Sequence, residues 1–132
     1  MTIGEISRLS GMPVRKVRRY TDLGLIYSLG RSAGNYRLYD ESALWCIETI
    51  RTLRRLGLTV KEVGALTEHY LDRPDEPIGP LLDDLLSRAR GRLDQRISTL
   101  DRTRSQLDAF RRRHSDELAG HGDIAASDPT RT

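Results

Sequence analysis

The sequence predicts an all-α chain with one small β-hairpin set among its helices, and three observations carry that prediction. The pattern Thr-x-x-Glu occurs at Thr2–Glu5 and again at Thr59–Glu62, where hydroxyl and carboxylate can satisfy backbone N–H groups reciprocally at a helix start. The stretch from Ser28 to Leu38 sets Leu29 on one side, and Tyr36 and Leu38 on the other, of the turn residues Gly30 and Gly34-Asn35, as two short strands and their turn require. Leucine recurs every seven residues at Leu86, Leu93, Leu100 and Leu107, the repeat of a long helix with an apolar seam. With 132 residues and a hydrophobic fraction of 37%, the chain fits one small domain carrying an appendage.

Each element follows from its punctuation. The first helix runs from Ile3 to Ser10 and stops at Gly11, with Ile3, Ile6 and Leu9 on its apolar side. Met12-Pro13 opens a second helix that ends before Gly24, because proline is tolerated at a helix start. Two short helices across a glycine-containing turn match the helix-turn-helix pattern, which plain helical hairpins share; the β-hairpin behind them reads as a wing. Asp40 caps a third helix whose stripe is Ala43, Cys46-Ile47, Ile50 and Leu53, ended by Gly57. The second capping box starts a fourth, with Val60, Val63, Leu66, Thr67 and Tyr70 at helical spacing. Residues 71–80 hold three prolines and three acids, which expels helix. From Ile78 to about Arg113 the heptad leucines, with Leu82, Ala89, Thr103 and Phe110 in the alternate seam beside Arg96, predict a helix about 54 Å long. The expected organisation is a winged helix-turn-helix at 1–71, a linker at 72–77, a dimerisation helix at 78–118 and a flexible tail at 119–132.

Charge bears on function through its arrangement. The formal net charge is +3 with twenty arginines and two lysines, and the pI is about 9.3; these permit a nucleic-acid partner without requiring one. Four cations, Arg15, Lys16, Arg18 and Arg19, fall within five positions of the second helix. At about 100° per residue, Val14 and Val17 lie opposite Arg15, Lys16 and Arg19, with Arg18 beside the apolar edge. Such a helix fits the major groove, where Arg and Lys bind guanine edges or flanking phosphates, although a basic run is also an ordinary solvated face. Tyr20 has two readings, a phenol donor to phosphate or a tyrosine at the rim of the core. Arg31 and Arg37 flank the wing tip, and Arg54, with Arg51 and Arg55, adds cations near the end of the third helix.

Other classes are disfavoured. One cysteine allows neither an internal disulfide nor a thiolate cluster, and Cys46 inside an apolar stripe reads as a buried structural thiol. Absence of a membrane-length apolar run and of a leader signal predicts a soluble cytoplasmic protein. No phosphate loop, metal-ligand spacing or nucleophile–base pairing stands out, so neither catalysis, a metal nor a cofactor is expected.

The motif order Ile-Gly-Glu-Ile, then Val-Arg-x-x-Arg-x-Tyr-x-x-Leu-Gly-Leu, then Asn-Tyr-Arg-Leu-Tyr-Asp resembles the MerR family of bacterial transcription regulators over about residues 1 to 71, as a short member without an appended ligand domain. The resemblance implies a winged helix-turn-helix homodimer, joined by an antiparallel coiled coil, that binds an inverted repeat in a promoter and acts there with RNA polymerase by altering DNA shape. It implies DNA contacts from Arg15, Arg18 and Tyr20, mainly phosphate contacts from the wing residues Arg31, Tyr36 and Arg37, and a backbone contact from Arg54. Two positions depart from the family pattern: Arg19 replaces an aromatic ring, adding a contact of its own, and Thr21-Asp22 replaces an acidic-basic pair.

Dimerisation follows independently from the seam Leu82, Leu86, Ala89, Leu93, Leu100, Leu107 and Phe110, which is expected to lack a partner within its own chain. Each fully buried leucine contributes about 1.5 to 3 kcal/mol, so an uncovered stripe favours a second copy. A small-molecule or protein effector stays open. The competing reading is a coiled-coil adaptor whose winged domain binds protein and not DNA.

Overall fold

A computed structural model of the chain describes residues 1–130 apart from 32, 35 and 36, and of Arg31 and Ser127 the backbone alone. Helix α1 spans Ile3–Ser10 behind the Thr2–Glu5 capping box, and Gly11, at φ 74°, returns its N–H to the Ser7 carbonyl. That left-handed stop suits glycine because it has no Cβ to clash. Helix α2, Val14–Asp22, starts behind Pro13. Strands β1, Gly30–Arg31, and β2, Arg37–Leu38, pair antiparallel with Gly30 opposite Leu38. Helix α3 covers Glu41–Arg55, with the Asp40 carboxylate accepting from the N–H groups of Ser42 and Ala43. Helix α4 covers Val60–Asp72 behind the Thr59–Glu62 box. Helix α5 runs unbroken through Gly91 from Gly79 to Arg113. Among the described residues no helix is long and apolar enough to cross a membrane.

The chain divides into two compact units, Met1–Gly91 and Arg92–Thr132. In the first, α1 packs on α2 and α3, and α3 on α4, around a core whose largest fully buried side chains are Tyr39, Ile6, Ile26, Ile47, Leu58 and Val17. The expectation that the long helix lacks a partner in its own chain fails for its first turns. Leu85 and Ala89 are buried in this core, and Ile78, Leu81, Leu82 and Leu86 pack against it. The reason is a second apolar face at three- and four-residue spacing, Ile78, Leu81-Leu82, Leu85 and Ala89, of which the heptad reading assigns Leu82 and Ala89 to the seam and passes over Leu81 and Leu85. The turn after α3 accommodates it: Gly57 sits at φ 103°, and a methyl there would lie 3.7 Å from the Ala89 Cβ.

In the second unit, the rest of α5 is followed by helix α6, Ser115–Leu118, and a 3-10 turn over Ile124–Ser127 capped by Asp123. His114, between the two helices, places Nδ1 2.5 Å from the Glu117 carboxylate, and its ring centroid lies 4.4 Å from that of Phe110. Leu93, Ile97, Leu100, Leu107 and Phe110 are exposed, Leu100 to 67%.

Candidate nucleic-acid interface

Helix α2 has the division of faces that its sequence predicts. Val17 is fully buried and Tyr20 6% exposed, while Arg15, Lys16, Arg18 and Arg19 are all exposed. The apolar anchor seats the helix on α1, so the cations project from a fixed base and gain no burial of their own. Tyr20 takes the core reading, since its ring belongs to the core, and it also lines a cleft beside the helix-turn-helix.

That cleft, about 460 Å³, lies between the Gly11–Pro13 turn and the C-terminal half of α3, and Lys16, Tyr20, Arg51, Arg54 and Arg55 line it. Two of its arginines are anchored. Arg51 Nη2 donates to the Ser10 carbonyl at 2.6 Å, supplying a cation to the last residue of α1, where the helix dipole is negative. Arg54 Nη1 donates to the Leu58 carbonyl at 2.8 Å. A guanidinium carries five N–H donors, so each of these bonds fixes a side chain and leaves others for an incoming anion. Among the described residues no acid lines the cleft. Four cations around one concavity repel one another, and a phosphate between them relieves that repulsion.

The wing is joined to α2 by contacts that local sequence patterns do not reveal. Arg37 Nη2 lies 2.6 Å from Asp22 Oδ1. Hydrogen bonding to Asp22, and secondarily to Tyr39, pushes the guanidinium pKa up. The Thr21 hydroxyl donates to the Val17 carbonyl at 2.7 Å, and its oxygen is 3.0 Å from the Tyr39 hydroxyl. A hydroxyl has one proton, so Tyr39 donates to Thr21. Tyr39 is 1% exposed and exchanges two backbone bonds of 2.7 Å with Met1. One buried tyrosine therefore ties the base of the wing to the end of α2 and to the chain's first residue.

Arg37, expected as a phosphate contact, is held inward by Asp22. Its side chain is 26% exposed, and Nη1 is buried without a partner. A partly exposed ion pair contributes about 1 kcal/mol at most, so its effect is on geometry more than on stability. Tyr36 and the side chain of Arg31 lie outside the described residues. Sequence patterns also miss Arg51 and Arg55 as members of a shared cleft with Lys16, because three separate elements converge there. Among the described residues no group of three or more His, Cys, Asp or Glu is placed to hold a metal ion.

A helix-turn-helix with a bare cationic second helix, a wing tied to its end and a basic cleft alongside define a DNA-binding regulator. The chain belongs to the MerR family: the family described as MerR HTH family regulatory protein matches residues 1–70, and that described as MerR, DNA binding matches 46–110. It is 40% identical over 73 residues to an uncharacterized HTH-type transcriptional regulator of Pseudomonas aeruginosa, a match covering 55% of each chain; the chain thus spans about half the length of that relative. It is 33% identical over 112 residues to an HTH-type transcriptional activator SoxR homolog of Chromobacterium violaceum, covering 83% of this chain and 72% of the other. Among solved structures it is similar to the transcription regulator PbrR691 of Ralstonia metallidurans in complex with lead(II), with a TM-score of 0.72, 31% identity, and 85% and 86% of the two chains covered.

Proposed function

We propose that the chain binds a palindromic promoter operator as a homodimer, alters the shape of the DNA and so regulates transcription by RNA polymerase. The observation that carries the reading is the set of four exposed cations on α2, anchored through Val17 and Tyr20. Arg15, Lys16, Arg18 and Arg19 contact base edges and phosphates in the major groove. Lys16, Arg51, Arg54 and Arg55 hold a backbone phosphate in the adjoining cleft. Tyr20 shapes the cleft wall, and Arg31 and Tyr36 serve the wing. Arg37 positions the wing through its contact with Asp22.

Pairing rests on the exposed stripe of α5. Leu93, Ile97, Leu100, Leu107 and Phe110 are each close to half exposed or more, an apolar surface that association removes from water. Leu82, Leu86 and Ala89 support the interface indirectly, by seating the start of that helix on the N-terminal core. An antiparallel seam places two α2 helices and two wings along one face of a duplex, and twofold protein symmetry then matches an inverted repeat.

Selecting genomic fragments that bind the purified protein is expected to return an inverted repeat within a promoter. If about eight phosphates are neutralised per dimer, the slope of log affinity against log salt is about −7. A slope near zero, or no retardation of any fragment, sinks this reading in favour of a protein-binding adaptor.

A further inference from the structure

An apolar concavity of the N-terminal unit is lined by none of the cations discussed above. A cavity of about 260 Å³ opens where α3, α4, the segment between α2 and β1, and the first turn of α5 meet. Leu25 and Tyr27 contribute from the segment after α2, Trp45 and Cys46 from α3, Tyr70 from α4, and Leu82 from α5. Charged residues make up 31% of the chain, yet among the described residues no Asp, Glu, Lys, Arg or His lines this wall.

Three aromatic side chains face the cavity, and two of them, Trp45 and Tyr70, are more than half exposed, so the mouth is open and aromatic while the floor is buried. The polar groups at the wall are neutral. Burial raises the pKa of Tyr27 and of the Cys46 thiol, and the Thr67 hydroxyl donates to the Val63 carbonyl of its own helix. A charged ligand entering this space would lose its hydration without meeting a counter-charge. A flat, neutral ligand would instead exchange water for stacking and dispersion against indole and phenol faces.

We infer that this cavity is a binding site for a small, neutral, planar aromatic compound. Its volume suits two or three fused or linked rings. Leu25 and Tyr27 belong to the segment that joins α2 to the wing, so an occupant bears directly on the connection between the two DNA-facing elements. The site goes beyond the regulatory reading and does not depend on it, since ligand binding is measured without DNA.

The chain holds one tryptophan and one cysteine, and both line the cavity, which supplies two independent reporters. N-phenyl-1-naphthylamine, a neutral probe whose emission rises in apolar surroundings, is titrated into the full chain. One probe per chain, half-saturation on the order of 10 to 100 µM and parallel quenching of Trp45 are expected. Near-saturating probe should slow alkylation of Cys46 by iodoacetamide about 5- to 10-fold, because bound ligand reduces the population of open states. The sulfonated analogue 8-anilinonaphthalene-1-sulfonate should protect Cys46 roughly 10-fold less well at equal concentration. Thr49→Phe, which fills the cavity from α3, should abolish both signals.

The wild-type protection assay decides the matter even if that variant fails to fold. No saturable binding, equal protection by the sulfonated analogue, or unchanged Cys46 alkylation at saturating probe each overturns the proposal. So does Trp45 emission that changes with protein concentration and ignores the probe, a result that assigns the cavity to a second copy of the chain.

Discussion

Asp22 is an acid three residues beyond Arg19 on a helix that is otherwise strongly cationic. Coulomb reasoning alone says that removing it should strengthen the attraction of DNA. Its 2.6 Å contact with Arg37 leads to the opposite expectation. Asp22→Ala should weaken operator binding about 3- to 10-fold, Arg37→Ala should do the same, and the double variant should be no worse than either single one, as for two ends of one link. Titrations in salt check the role separately. A true phosphate contact would reduce the slope by about 1 on removal, whereas Arg37→Ala should leave it unchanged. Arg18→Ala should cost about 1 to 3 kcal/mol of affinity, and affinities for single-base operator variants should show the loss concentrated at particular base pairs. The four basic positions on α2 were legible because a helix converts spacing into direction. The Asp22–Arg37 pair, Tyr39 as a joint, and Arg51 beneath the Ser10 carbonyl were not, since each contact links residues distant in sequence and no periodicity marks it.

Helices α1, α3 and α4 owe their legibility to local chemistry. Both capping boxes, the Asp40 cap and the glycine after α1 act within a few residues, so a pattern of letters reports them directly. Helix α5 is different because two overlapping periodicities run along it. One, through Leu81-Leu82, Leu85 and Ala89, completes the N-terminal core; the other, through Leu93, Ile97 and Leu100, stays bare. A heptad count merges them, which is why it assigns Ala89 to the seam and passes over Leu85. Leu85→Ala should destabilise the N-terminal unit by about 2 to 5 kcal/mol, measured by urea unfolding followed at Trp45. Leu100→Ala should leave that transition in place and weaken self-association in sedimentation. Along α3, the raised pKa of Cys46, caused first by burial, sets a pH dependence. The folded state holds the thiol proton more tightly than the unfolded chain does, so this share of stability is intact at neutral pH and falls as pH climbs through and beyond the ordinary thiol range. Tyr27, raised in the same way, adds to the loss at higher pH. Urea midpoints should be flat around neutrality and drop in alkali, and Cys46→Val should remove the earlier part of that drop.

For the molecule as a whole, the division at Gly91 separates what each part of α5 does. Up to that point the helix completes a core that one chain supplies alone; beyond it, its apolar surface is bare, the surface that the proposed pairing covers. Overall architecture was readable because composition, caps and repeats all act along the chain, while the point at which α5 changes allegiance depends on packing against α3 and α4 and could not be counted out of the leucines. A reading head that finishes its own interior can fold as each chain leaves the ribosome, before it has met any other. In the proposed dimer, pairing is then a later and separable event, open to exchange. Two differently labelled preparations, mixed under native conditions, should swap subunits while their tryptophan emission holds steady, and closely related regulators made in one cell could form mixed pairs by the same route.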